Sequence, residues 1–233
     1  MTSPLIPARR RGVELLDAPN VSAELLTRSL ADVARANTLF GGTRAVMREL
    51  VPVLRARRGD TLSLLDVGTG AADIPTAVRG RAKRFGVELT TFGVDTAHPL
   101  ARSALLHLDG SMCADARALP LPSRSVDVVV CSQLLHHFTE LEALIVLREL
   151  HRVARERVIV SDLRRSWVAA VGIWLASFPL RFHPVSRHDG VVSVMRGFTA
   201  EELRDHVKMS TGMTPIVRHH IGWRVTASWS PRR

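Results

Sequence analysis

From Gly59 onward the chain alternates short runs rich in leucine and β-branched residues with stretches of helical periodicity, and this restricts the fold more than any other feature. The strand-like runs are 62–67, 88–94, 126–130 and 157–161, with a weaker one near Met112, and the intervening helices are predicted at 72–85, 99–108 and 139–153. Strand and helix in strict alternation imply a parallel sheet covered on both faces. In such sheets ligands bind beyond the carboxyl ends of the strands, so the residues just after each run carry the search for function.

The first 58 residues follow a different pattern. Residues 1–20 are basic, contain prolines and lack the apolar run of a secretion signal, which predicts a disordered arm. Ser22 is placed to cap a helix with Leu25, Leu26, Leu30, Val33 and Ala34 on one face, ending at Gly41-Gly42. A second helix from Thr43 carries Val46, Leu50 and Leu54, with a kink expected at Pro52. The expected organisation is therefore an arm (1–20), a helical cap (21–58) and an α/β domain (59–233) interrupted by an apolar helical insertion at about 164–197.

Composition removes several chemistries. Lys83 and Lys208 are the only lysines and there is no tyrosine, so neither a multi-lysine mechanism nor a phenol acid or base is available. Cys113 and Cys131 have no metal-ligand spacing, no metal is expected, and both thiols are read as reduced and buried. The net charge of +10 comes almost wholly from arginine spread through the chain. The longest apolar run, 167–179, has 13 residues, short of the roughly 17–25 that a spanning helix needs. The chain thus reads as cytoplasmic.

The first strand leads into Asp66-Val67-Gly68-Thr69-Gly70-Ala71-Ala72-Asp73. Two glycines allow a sharp turn and close backbone approach to a ligand at a helix N-terminus. A dinucleotide fingerprint would need glycine at 73, where an aspartate stands. The D-x-G-x-G-x-A form resembles motif I of the class I S-adenosylmethionine-dependent methyltransferases. Asp95 ends the second strand 25 residues past Gly70, Asp115 follows the weak third strand, and the fourth strand runs from Ser125-Val126-Asp127 into Ser132-Gln133-Leu134-Leu135-His136-His137-Phe138. That last run, with Leu147 to Val153 and the strand after it, is similar to the ubiquinone and menaquinone biosynthesis subgroup.

The resemblance covers about residues 60–162. It implies a Rossmann-like, doubly wound, seven-stranded sheet, with residues 215–229 supplying a closing antiparallel pair. It also implies S-adenosyl-L-methionine as cofactor, with Asp66, Gly68, Thr69, Gly70, Asp95, Thr96, Asp115, Ala116, Ser132 and Gln133 around it. Asp95 is expected on the ribose hydroxyls, and Asp115 with its neighbour's amide on the adenine edge.

His136, His137 and His188 are the candidate bases, because imidazole titrates near neutral pH. The segment from Trp167 to Phe182 is apolar all round and must be covered by something. It is expected to pack on the cap and line a pocket for an apolar aromatic, polyketide or quinone-like acceptor, with oxygen favoured over carbon as the accepting atom. Its flanking arginines, Arg164, Arg165 and Arg181, leave room for peripheral membrane contact. Two alternatives stand beside this: a nucleic-acid methyltransferase, which the charge invites but the low aromatic content disfavours, and a non-catalytic cofactor-binding subunit. The sequence is silent on oligomeric state.

Overall fold

The computed structural model describes residues 6–10, 12–18 and 21–231. β1 (Thr61–Val67) pairs in parallel with β2 (Glu88–Asp95) on one side and β4 (Val126–Ser132) on the other; β3 (Gly110–Cys113) extends the β2 edge and β5 (Ala154–Leu163) the β4 edge. β7 (Arg224–Trp229) joins β5 antiparallel and is itself paired antiparallel with β6 (Ile216–His220), giving seven strands in the order β3-β2-β1-β4-β5-β7-β6. The predicted closing pair is present.

Alternation along the central strands sends side chains to two cores. Leu65, Val67, Val129, Val158 and Val160 face α5 (Glu140–Val153) and α8 (Ala200–Thr211), meeting Leu147, Leu150, Leu203 and Val207. Leu62, Leu64, Val128, Val130 and Ile159 face α2 (Gly42–Ala56) and α3 (Asp73–Arg84), meeting Val46, Leu50, Leu54, Ile74 and Val78. Thr139 with Glu142, and Thr199 with Glu202, close capping boxes that start α5 and α8. Asp127 lies at the start of β4, where its carboxylate accepts from the Ser63 amide and hydroxyl and locks the β1/β4 register, at the opposite end from the ligand loops.

α1 (Ala23–Leu39), capped by Ser22 as expected, and α2 follow the predicted cap, and Pro52 is accommodated inside α2. α4 (His98–Ala104) is shorter than its predicted range. The segment around 164–197 forms two helices, α6 (Trp167–Ser177) and α7 (Pro184–Arg196), packed on each other through Ala169, Ala170, Val194 and Met195.

The N-terminal arm corrects the expectation of disorder over its described residues. Buried Arg165 donates to Pro7 O, Arg9 donates to Arg196 O and stacks 4.1 Å over Phe198, and the Leu15 and Leu16 amides donate to the two oxygens of buried Asp189 at 2.8 and 2.9 Å. The segment is a strap lying across α7. A second correction concerns Cys113, which is exposed, whereas Cys131 is buried as expected. Among the described residues no helix is long and apolar enough to cross a membrane.

Candidate active site

After β1 the chain turns on Gly68 and Gly70, both in the left-handed region at φ +77° and +49°. A Cβ on Gly68 would sit 2.9 Å from Leu134 Cδ2, so glycine is required both by the turn and by the approach of the loop after β4. The Gly70 amide donates to Asp95 Oδ2 and the Ala97 amide to Asp95 Oδ1, each at 2.9 Å. One carboxylate therefore ties the loops after β1 and β2 together while retaining lone pairs for a ligand.

All ten residues expected around the cofactor line a single cavity of about 650 Å³. Within it, Ser132 Oγ is buried without a protein partner, and Asp66 and Thr69 have only each other's side chains to face. Buried polar atoms so sparsely partnered fit a ligand rich in hydrogen-bonding groups. Burial pushes the Asp66 carboxyl up to about 7, with Asp73 and Asp95 adding to the effect. Asp115 is gripped by Arg117 through Nε and Nη2, which holds its carboxyl below the usual range. A ligand engaging that carboxylate must therefore share it with a guanidinium.

A second cavity, of about 250 Å³, adjoins the first and shares Glu14, Leu16, Val33, Gln133 and His137 with it. Its walls are apolar, with Phe40, Ile173, Phe182, Val194 and Trp223 prominent. His136 enters this wall from the short 3₁₀ turn Leu135–His137 that follows β4. Its amide donates to Asp162 Oδ2 at 3.0 Å and its Nδ1 lies 2.6 Å from Asp162 Oδ1. Asp162 sits fully buried near the end of β5 and also accepts from the Leu163 amide. Burial alone would raise its carboxyl, but His136 and the amides outweigh that and hold it below the usual range. An ionised Asp162 makes Nδ1 the protonated ring nitrogen of His136. Nε2 is the ring nitrogen left buried and without a hydrogen-bond partner.

Glu14, carried in by the strap, faces both histidines: its oxygens are 3.8 Å from His136 Nε2 and 3.9 Å from His137 Nε2. Ser193 Oγ and Arg196 Nη1 donate to Glu14 Oε1 at 2.8 and 2.9 Å. These three residues bring potential metal-ligating atoms within 4.8 Å of one another, but the Arg196 guanidinium already neutralises the carboxylate and opposes a second cation. Behind them, buried Arg224 of β7 donates to Gln133 Oε1 at 2.5 Å, Gln133 donates to Asn37 Oδ1, and Asn37 donates to Asp73, linking the cap to the sheet. Burial pushes the Arg224 guanidinium down to about 10, against the pull of Asp162.

His137 thus lines both cavities and His136 the apolar one, whereas His188 lines neither. It lies on α7, half exposed, with Nδ1 bonded to Asp189 Oδ1. That placement removes it from the candidate bases. Sequence reasoning missed Glu14, Asn37, Asp162 and Arg224. Asp162 obeys the strand-end rule and was findable, whereas the others sit where no local pattern marks them.

Residues 65–160 match the family model described as a methyltransferase domain. Taken with the glycine turn and the Rossmann-like sheet order, this match identifies an S-adenosylmethionine-dependent methyltransferase, with S-adenosylmethionine as the cofactor. Among solved structures, SibL, an S-adenosylmethionine-dependent methyltransferase in its apo form, is 17% identical with a TM-score of 0.61 over 98% of this chain and 64% of its own. The magnesium protoporphyrin IX methyltransferase ChlM of Synechocystis with bound S-adenosylmethionine is 13% identical, with a TM-score of 0.55 over 91% and 86%. A methyltransferase from Aquifex aeolicus is 16% identical, with 0.56 over 85% and 98%. These likenesses are of fold. No curated protein matches the sequence.

Proposed function

We propose that the protein methylates a small, apolar, aromatic or quinone-like acceptor on a hydroxyl oxygen, with His136 as the general base. The observation that carries this is His136, which lines an apolar cavity beside the cofactor cavity, is held at Nδ1 by Asp162, and has no hydrogen-bond partner at Nε2. When bound, the cofactor supplies a methyl group on a sulfonium, a leaving group already activated by its charge.

The chain's own residues then have two tasks. Phe40, Ile173, Phe182 and Trp223 seat a ring against the junction, and holding two reactants in line is worth about 7–11 kcal/mol of barrier. His136 Nε2 takes the hydroxyl proton while Asp162 holds the ring and stabilises the imidazolium, a step worth about 10²–10⁴-fold. Glu14, whose carboxylate lies 3.8 Å from that nitrogen, favours the same positive charge. The apolar walls and the small volume of the second cavity, about 250 Å³, support a small molecule over a nucleic acid. The resemblance of the residues after β4 to the quinone-biosynthesis subgroup supports a phenol or hydroxyquinone over other small acceptors.

The test is a methyl-transfer assay against phenols, hydroxyquinones and alkylresorcinols, comparing the native protein with His136→Ala and identifying the methylated atom. An O-methylated product, lost in the variant, is expected. A C-methylated product, or full turnover by His136→Ala, contradicts the reading.

A further inference from the structure

We propose that α6 docks the protein on the surface of an anionic lipid bilayer. The sequence predicts that this apolar helix is covered, but only half of it is. Ala169, Gly172 and Ile173 line the acceptor cavity. On the other side Trp167, Val168, Val171, Trp174, Leu175 and Phe178 form a stripe at helical spacing, each side 40% to 56% exposed. Among the described residues nothing else exposes so many large apolar side chains on one element, and a contiguous patch of this kind marks an interaction surface.

The charge around the stripe selects the occupant. Between Asp162 and Asp189 the chain has four arginines and no acid; Arg165 is buried against Glu202, which leaves Arg164, Arg181 and Arg187, and both of those aspartates are buried. Arg10 stacks 5.4 Å over Trp167, Arg187 stacks 3.8 Å over Phe178, and exposed Arg181 follows the helix. Arg35 reaches the same corner through its hydrogen bond to Leu180 O. Two copies meeting through this face would oppose like charges. An anionic headgroup layer complements them, and paired tryptophans beside arginines suit the boundary between headgroups and acyl chains. The geometry then gives the stripe a use: the helix that touches the bilayer with one face lines the acceptor cavity with the other. The proposal goes beyond the acceptor reading and is decided by vesicle binding, so failure of either leaves the other standing.

The experiment is sedimentation of the full chain with vesicles of phosphatidylglycerol and phosphatidylcholine, against phosphatidylcholine alone. Binding to the anionic vesicles with a blue shift of tryptophan fluorescence is expected. The double variant Val171→Glu, Trp174→Glu should bind at least about tenfold more weakly, and Arg181→Gln about fivefold more weakly, with thermal unfolding and S-adenosylhomocysteine affinity kept as checks on folding. Three results would overturn the proposal: native protein left in the supernatant with anionic vesicles, undiminished binding by the well-folded double variant, or a vesicle-free dimer that the double variant splits.

Discussion

The two halves of the site are built in opposite ways. The cofactor half rests on short-range geometry: Gly68 and Gly70 turn the chain, and the bond closing the loop, Gly70 to Asp95, spans 25 residues. The acceptor half is assembled from the ends of the chain, with Leu15 bonded to Asp189 across 174 residues and Arg196 to Gly12 across 184. A local site forms with the sheet itself, whereas a long-range site depends on the strap being seated. The two share Glu14, Leu16, Val33, Gln133 and His137, so changes away from that seam should separate them.

The largest separation of the halves is expected at His136. His136→Ala and Asp162→Asn should each lower kcat by about 10²–10⁴-fold while calorimetric affinity for S-adenosylhomocysteine stays unchanged. Because the pair acts as a unit, the double variant should be little slower than either single one. Multiplicative losses would show two unconnected roles.

The reverse separation is expected at Asp95. Asp95→Ala strands the Gly70 and Ala97 amides, which costs about 1–3 kcal/mol, and should cut cofactor affinity sharply while leaving the strap as protected from hydrogen exchange as before. Unchanged affinity would remove Asp95 from the site.

Asp189→Ala sharpens the comparison from the other side. Losing the acceptor for the Leu15 and Leu16 amides should raise the acceptor KM more than it lowers kcat, and speed amide exchange at those two positions. Equal exchange rates would mean that the strap is held elsewhere.

The smallest effect concerns pH. The Asp66 carboxyl is raised from 3.8 to about 7 in the folded chain, so its contribution to stability is fully present below 3.8 and is lost as pH rises through about 7. The cationic cofactor favours the ionised form, so binding should release protons near neutrality and tighten as pH rises. Calorimetry in buffers of different ionisation enthalpy reads this directly, and Asp66→Asn should abolish the release.

The same contrast explains what could be read in the sequence. Strands, capped helices and the glycine turn are written in neighbouring residues, and the ten cofactor-side residues followed from the family resemblance of the motifs at the strand ends. The strap could not be read, because an extended segment held by arginine side chains on carbonyls has no periodicity. α7 falls inside the helical insertion expected at about 164–197 but was not separated from α6, because Gly190 and its valines depress helix propensity, although Pro184 at its first turn was a usable start signal. His188 was a candidate because it lies in the segment after the fifth strand and imidazole titrates near neutral pH, yet it stands half exposed on α7, outside both cavities, beside an Asp189 that also holds the strap. Asp162, one residue past the predicted end of the fifth strand, completes the pair that His136 needs.

The central claim is that Asp162 holds the Nδ1–H of His136 and leaves Nε2 as the nitrogen that takes the acceptor's proton. Nitrogen-15 NMR of the His136 ring tests it without knowledge of the acceptor. The account predicts that the proton of the neutral tautomer sits on Nδ1 in the native protein and that this preference is lost in Asp162→Asn. A ring protonated at Nε2 in the native protein would contradict it.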